Sequence, residues 1–361
     1  MLAPDARRAE VAAKLERLRD VLDARGLAGA ALSARRNVAW LTAGADTHVV
    51  EASEGGVVTL LVTTSDVVAI TTVNEAPRIR DEELTGLDIE VVAVPWEATG
   101  GVAGLIGSRI AGPVATDAAL EADLLPLRSR LSPAEQDRLA AIGLLAAEAM
   151  TDAFLEARPG DLESVVAERL AERLAAAGAS APVLLAASDD RISRFRHPVP
   201  KPKPIVASLM LVVVAEHGGL HAAVTRMGWL HGRPDDGTLA RYRACARIDT
   251  ALREATVPGR TLADVLAAGV RAYAAEGFAD EWRLHHQGGT IAYQPRETVA
   301  TPDATETIEP GMAFAFNPSI TGAKSEETFI LRSDGRPDVV TRDPRWPSEP
   351  DGGPAILLID G

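Results

Sequence analysis

From Ser132 to Leu230 the chain is punctuated in a way that restricts it to a narrow set of layered folds. Ser132-Pro133-Ala134-Glu135 has the form of a capping box with proline at the first helical position, and it opens a long helix to about Ala157. Arg158-Pro159-Gly160-Asp161 ends that helix. A second is predicted from about Leu162 to Ala177, stopped by Gly178. After the proline-rich connector 198–204, two apolar runs, 207–215 and 220–230, flank Glu216-His217-Gly218-Gly219 and read as a strand pair. A third helix is predicted from Thr261, with Asp264 three residues on, to Gly277, followed by strands at 312–316, 328–332 and 356–359. Helix pair, hairpin, helix and then strands is an α+β order.

The first 125 residues or so mix the two periodicities. Val11, Leu15, Leu18 and Leu22 lie at spacings of 4, 3 and 4, a helical stripe closed by Gly26. Strand-like segments follow at 28–32, 38–42, 57–63 and 67–72, the last two around Ser65-Asp66, with shorter ones at 91–94 and 114–116. This predicts an α/β domain over 1–128 and an α+β domain over 129–361. A chain of 361 residues can give each its own core. No tandem repeat or low-complexity tract interrupts them.

The composition excludes some function classes. The formal net charge is -14, which disfavours nucleic acid and anionic membrane surfaces. No run reaches the ~18 apolar residues a membrane span needs. The N-terminus leads into an amphipathic helix, with no signal-like apolar segment. Cys245 is the one cysteine, so no intrachain disulfide can form. A buried place on a helix suits it. Together these point to a cytoplasmic protein.

The chemistry is concentrated in Leu284-His285-His286-Gln287-Gly288-Gly289-Thr290, Asn317-Pro318 and Ser325-Glu326-Glu327-Thr328. With Arg158-Pro159-Gly160-Asp161, the strand end Thr225-Arg226 and the turn Glu309-Pro310-Gly311-Met312, this succession resembles the pita-bread fold of aminopeptidase P, prolidase, methionine aminopeptidase and creatinase. The likeness covers nearly the whole chain. Its N-terminal α/β domain points to the two-domain branch. The resemblance implies a homodimer, with the N-terminal domain of one chain approaching the partner's cavity, and a small-molecule substrate.

In the family's peptidases, two Asp, one His and two Glu hold two divalent ions that share a nucleophilic water. Carried over position by position, the two Asp fall near Val212 and at Ala223, the His at Gly289 and the first Glu at Asn317. Glu326 alone is retained. One carboxylate cannot hold two hard cations, so neither metal nor other cofactor is expected. His197 matches the position of a substrate-binding His in the peptidases and of the catalytic His in creatinase, the family's metal-free C–N hydrolase. An imidazole of ordinary pKa ~6.5 suits such proton transfer. His197 with Glu326 is therefore the expected acid–base pair. His285, His286, Gln287, Arg296, Asn317, Glu327 and Arg226 are the expected substrate-binding set.

Each member has its own reading. On a strand His285 and Gln287 share one face and His286 takes the other, so both His can line a pocket only if the strand is bulged. Arg296 stands where the peptidases place a second catalytic His, and a guanidinium there is an anion clamp. Arg226 is expected to pair with one of the two glutamates, which face opposite sides. Asp189-Asp190-Arg191 reads as a loop or a substrate gate. The combined reading is a metal-independent hydrolase of a C–N bond. Lyase or isomerase chemistry on the same residues, a non-catalytic pseudo-peptidase that binds ligands, and an Xaa-Pro peptidase with displaced metal ligands stand beside it. After gentle purification, elemental analysis is expected to find no stoichiometric Zn, Mn, Co or Fe; two tightly bound ions per chain would contradict this.

Overall fold

The computed structural model describes residues 3–350 and 353–359. Two compact units divide the chain, Met1–Arg128 and Ser129–Gly361. In the first, the predicted stripe is the buried edge of the helix Pro4–Arg25. Five strands make its sheet: β1 (Gly29–Ala34), β2 (Gly55–Thr63), β3 (Val67–Thr72), β4 (Glu90–Val94) and β5 (Val114–Thr116). Their spatial order is β4-β3-β2-β1-β5. The sheet is mixed, because β1 runs antiparallel to β2 but parallel to β5, and β3 runs parallel to β4.

One predicted strand here is wrong. Residues 38–41 belong to the helix Arg35–Leu41 and Thr42 caps it, with Asn37, Val38, Ala39, Trp40 and Leu41 all buried. A short apolar run buried on every side has no readable period, so alternation could not separate strand from helix. Asn37 anchors it by donating to Asp117 Oδ1 (2.8 Å) and accepting from Arg128 (2.7 Å). The helices Gly101–Arg109 and Asp117–Ser129 were also not foreseen.

The second unit opens with the capping box in place. Glu135 N donates to Ser132 Oγ at 3.3 Å, and Ser132 N donates to Glu135 Oε2 at 2.8 Å. The helices Pro133–Glu156 and Glu163–Ala176 pack on a sheet of β6 (Ser180–Ser188), β7 (Ser208–His217) and β8 (Leu220–Trp229). β7 and β8 are the predicted hairpin, in continuous register from Ser208↔Trp229 to His217↔Leu220. β6 escaped the sequence reading, and the helix Asp236–Ala255 entered it only as the buried helical place given to Cys245; Asp235 caps that helix through Thr238 N at 2.7 Å. A second helix, Leu262–Ala275, packs against it.

The remaining strands are β9 (Gly288–Thr290), β10 (Thr298–Val299), β11 (Ala313–Phe316), β12 (Ser319–Ile320), β13 (Ala323–Lys324), β14 (Glu327–Leu331), β15 (Pro337–Val339) and β16 (Leu357–Leu358). The second sheet has the order β10-β9-β11-β14-β15, and β16 extends the first along β8. Phe314, Phe316 and Phe329 stack between the second sheet and its helices, with Phe314 and Phe329 centroids 5.4 Å apart. The two sheets are joined where Thr225 in the middle of β8 bridges Glu326. Thr328 reinforces this seam: its Oγ1 accepts from Ala223 N at 2.8 Å and donates to Ala223 O at 2.9 Å. Among the described residues no helix is long and apolar enough to cross a membrane.

β9 is held on both sides, with Gly289 opposite Val299 and Ala315. A Cβ at Gly289 would lie 1.9 Å from the Thr298 carbonyl oxygen, so only glycine fits without moving the neighbouring backbone. Gly289→His is therefore expected to destabilise the protein by about 1–3 kcal/mol or more. Urea denaturation checks this; an unchanged midpoint would show that the neighbouring strand yields freely.

Candidate active site

Glu326 lies at the sheet seam, 2% exposed, and its carboxylate is fully engaged. Arg296 Nη2 donates to Oε1 at 2.7 Å and Thr225 Oγ1 donates to Oε2 at 2.7 Å. Lys324 Nζ stands 3.8 Å from Oε2. Burial would raise the pKa of Glu326, but Lys324, Arg296 and the two hydrogen bonds outweigh it and hold the group at about 2. Lys324, 4% exposed, is itself pushed below its ordinary range by burial and by Arg296 and Arg196, with Glu326 opposing.

Lys324 was missed in the sequence. The signal was there: two residues before Glu326 along an extended segment, it falls on the same face. Attention to carboxylates and imidazoles passed over it.

Beside this ion cluster lie three histidines. His197 comes from the loop ahead of β7, while His285 and His286 follow the 3-10 turn Glu281–Leu284. Nε2 of His197 is 2.9 Å from Nε2 of His285, and His285 and His286 stack with centroids 4.5 Å apart. One ligand-capable atom from each of the three lies within 4.8 Å of the others. The expected strand alternation does not apply, because β9 begins only at Gly288. Gly288 has φ +93°, a conformation that frees the preceding residues from the pleat. Both imidazoles therefore reach the same place as His197.

The hydrogen bonds assign the ring protons. His285 Nδ1 faces its neighbour's carbonyl, His286 O, at 2.5 Å and so carries the proton, which leaves a lone pair on Nε2. His197 Nε2 then donates to that lone pair, and His197 Nδ1 is free to accept. His286 Nδ1 accepts from Gly288 N at 3.2 Å. All three rings are kept neutral. Burial first, then Lys324, pushes His285 down to about 3; burial and then Arg296 push His286 to about 4. His197 is lowered by partial burial, Lys324 and Arg296, against the opposing Glu326.

Several expected substrate contacts belong to the framework. Gln287 accepts from Tyr273 Oη (2.8 Å) and donates to Trp282 O (3.0 Å) and His285 O (2.6 Å). With every polar atom engaged, it fixes the histidine loop, and it also lines the cavity beside His285 and His286. Arg226 and Glu327 pair at 2.8 Å, 3% and 1% exposed, and Arg226 Nη2 also donates to Thr341 O. They line a separate cavity of about 290 Å³ with Asp343 and Trp346, away from the histidines. The strand alternation at Glu326-Glu327 is the reason: the two carboxylates serve opposite faces. Asp189 is no gate either, since its carboxylate accepts from Val206, Ala207 and Ser208 N at 2.9–3.0 Å.

What stays available is small. Arg296 Nε and Asn317 Oδ1 are buried with no hydrogen-bond partner. A cavity of about 330 Å³ adjoins His285 and His286, walled by Leu266, Trp282, Val299 and Pro302.

The profile of metallopeptidase family M24 matches residues 137–334. A comparison with curated proteins finds no match. Solved structures share the fold. A Xaa-Pro dipeptidase from Bacillus anthracis aligns with TM-score 0.74 at 19% identity, over 96% of this chain and 99% of its own. The prolidase from Pyrococcus horikoshii OT3 gives 0.76 at 16%, over 92% and 99%. The dipeptidase PepE from Mycobacterium ulcerans gives 0.75 at 20%, over 98% of each.

A dinuclear metal centre of the kind the M24 peptidases use does not fit these residues. Val212 and Ala223 are buried and apolar, and Gly289 offers no donor. Asn317 supplies at most a neutral oxygen, and Glu326 already faces two side-chain cations. Protein ammonium and guanidinium groups thus meet the carboxylate that a metal would need. Because the folded Glu326 titrates below its ordinary 4.5, its stabilisation is complete above that pH and is lost as pH falls toward about 2. Glu326→Gln leaves buried Lys324 and half-buried Arg296 without a counter-charge and is expected to cost about 3–5 kcal/mol near neutrality. Urea midpoints measured from neutral to acidic pH check both statements: the wild-type advantage shrinks with acidification, and a constant gap would reject the assignment.

Proposed function

This chain belongs to metallopeptidase family M24, and from that premise we propose that it hydrolyses a C–N bond of a small molecule or amino-acid derivative without the family's dinuclear centre, by proton transfer at His197. The observation that carries this reading is the histidine relay beside a carboxylate already neutralised by Arg296 and Lys324. His197 Nδ1 accepts the proton of an attacking water while Nε2–H stays bonded to His285, which keeps the ring aimed. The same Nδ1 then returns the proton to the departing nitrogen. Nearby positive charge disfavours a long-lived imidazolium, so the proton is handed on readily.

Arg296 and Lys324 give the pocket a net positive character that suits the oxyanion formed when water adds to a carbonyl or amidine carbon. The unpartnered Arg296 Nε is a ready donor for it, and Asn317 Oδ1 can accept from a substrate N–H. The apolar wall at Trp282 and Leu266 suits the non-reacting part of a small substrate. A homodimer, expected of the two-domain branch, is the working unit in this reading.

Hydrolysis of a panel of dipeptides, N-acyl amino acids, amidines and ureido acids by metal-stripped protein is the test. His197→Ala is expected to reduce turnover of the best substrate by about 10²–10⁴, with little change in melting temperature because the residue is exposed. Full activity in His197→Ala removes it from the mechanism. A protein that binds panel members but turns over none is a pseudo-peptidase.

A further inference from the structure

We propose that His197, His285 and His286 form a site for a single zinc ion, filled when zinc is supplied, and that zinc there shuts off the proton transfer assigned to His197. The proposal rests on the reading above for its consequence but not for the binding itself.

Three neutral imidazoles converging within 4.8 Å are the donor set that borderline divalent ions select, and hard ions such as Mg²⁺ and Ca²⁺ do not. Tetrahedral zinc with Zn–N bonds of about 2.0–2.1 Å places two ligand nitrogens about 3.3 Å apart. His197 Nε2 and His285 Nε2, at 2.9 Å, need to separate by only a few tenths of an ångström. His285 is already set for the task. Its Nδ1–H is tied to the His286 carbonyl, the outer contact that holds a ligating imidazole in the correct tautomer, and Gln287 fixes the same loop by donating to His285 O. His286 joins by exchanging its long bond from Gly288 N for the ion. The fourth position faces solvent, since His197 and His286 are exposed.

The consequence follows from proton placement. To bind zinc through Nε2, His197 must carry its proton on Nδ1. No proton is gained or lost overall, yet the nitrogen that accepts from water becomes a donor. Lys324 and Arg296 nearby oppose a dication, so the ion is exchangeable and is taken by chelators. They also favour an anion such as hydroxide or a carboxylate as fourth ligand.

Chelator-treated full-length protein is titrated with Zn²⁺ against a chromophoric chelator, and separately with Co²⁺, whose visible absorption reports tetrahedral nitrogen ligation. One ion per chain is expected, with intense Co²⁺ bands. Binding should weaken at least tenfold in His285→Gln and in His286→Gln, and Mg²⁺ should not compete. Circular dichroism confirms that the variants are folded. No saturable binding, or equal affinity in folded His285→Gln, overturns the site. Activity of the same samples separates the two claims. A stripped enzyme that is active and loses turnover on adding zinc supports both. A stripped enzyme that is inactive until zinc is added keeps the site but overturns the inhibition and the metal-free reaction. Unchanged turnover at full zinc occupancy overturns the inhibition and the role of His197 together.

Discussion

Everything in the second unit converges on one buried carboxylate. Glu326 joins the two sheets through the Thr225 bridge and accepts the Thr225 hydroxyl and the Arg296 guanidinium, with the Lys324 ammonium close by. Burying one negative charge with two positive ones leaves a net single positive charge in a medium of low polarity. Burial in the first place, and that residual charge after it, keeps the histidines neutral. Neutral rings can then relay protons among themselves or offer lone pairs to an ion. In the proposed reading the polarity of the pocket is the reverse of a carboxylate cage, with fixed cations on the protein beside its carboxylate.

The structural framework was largely legible before any coordinates. The capping box at Ser132, the hairpin at Glu216–Gly219 and the left-handed turn at Gly311 are local signals, each enforced by a few neighbouring atoms. Readings failed where the deciding contact was distant. The segment 38–41 is helical because Asp117 and Arg128 anchor Asn37 from 80 and 91 residues away. The helix at Asp236–Ala255 was announced by Asp235 and by the stripe Tyr242, Cys245, Ile248 and Leu252, of which only Cys245 had been placed on a helix.

The site was legible in part for the same reason. His197, Glu326 and Arg296 are brought into one neighbourhood, and His285 and His286 join them. Spacing could not tell that Gln287 engages Tyr273, Trp282 and His285, or that Arg226 pairs with Glu327 and binds the Thr341 carbonyl. Those are properties of satisfaction, visible only when all partners are known. Strand alternation did give the right outcome for Glu326 and Glu327. It misled for the two histidines because the strand begins three residues after His285, at Gly288.

The glycine at 289 bears on how such a pocket can be altered. The carbonyl of Thr298 occupies the space that any side chain at this position would require. A substitution that places an imidazole there meets a steric penalty at once, before any other metal-binding side chain is present to recruit an ion that could offset it. Building a two-metal centre into this pocket through single tolerated steps is therefore obstructed. Substitutions that keep this backbone arrangement are confined to working with the histidine and cation set already present.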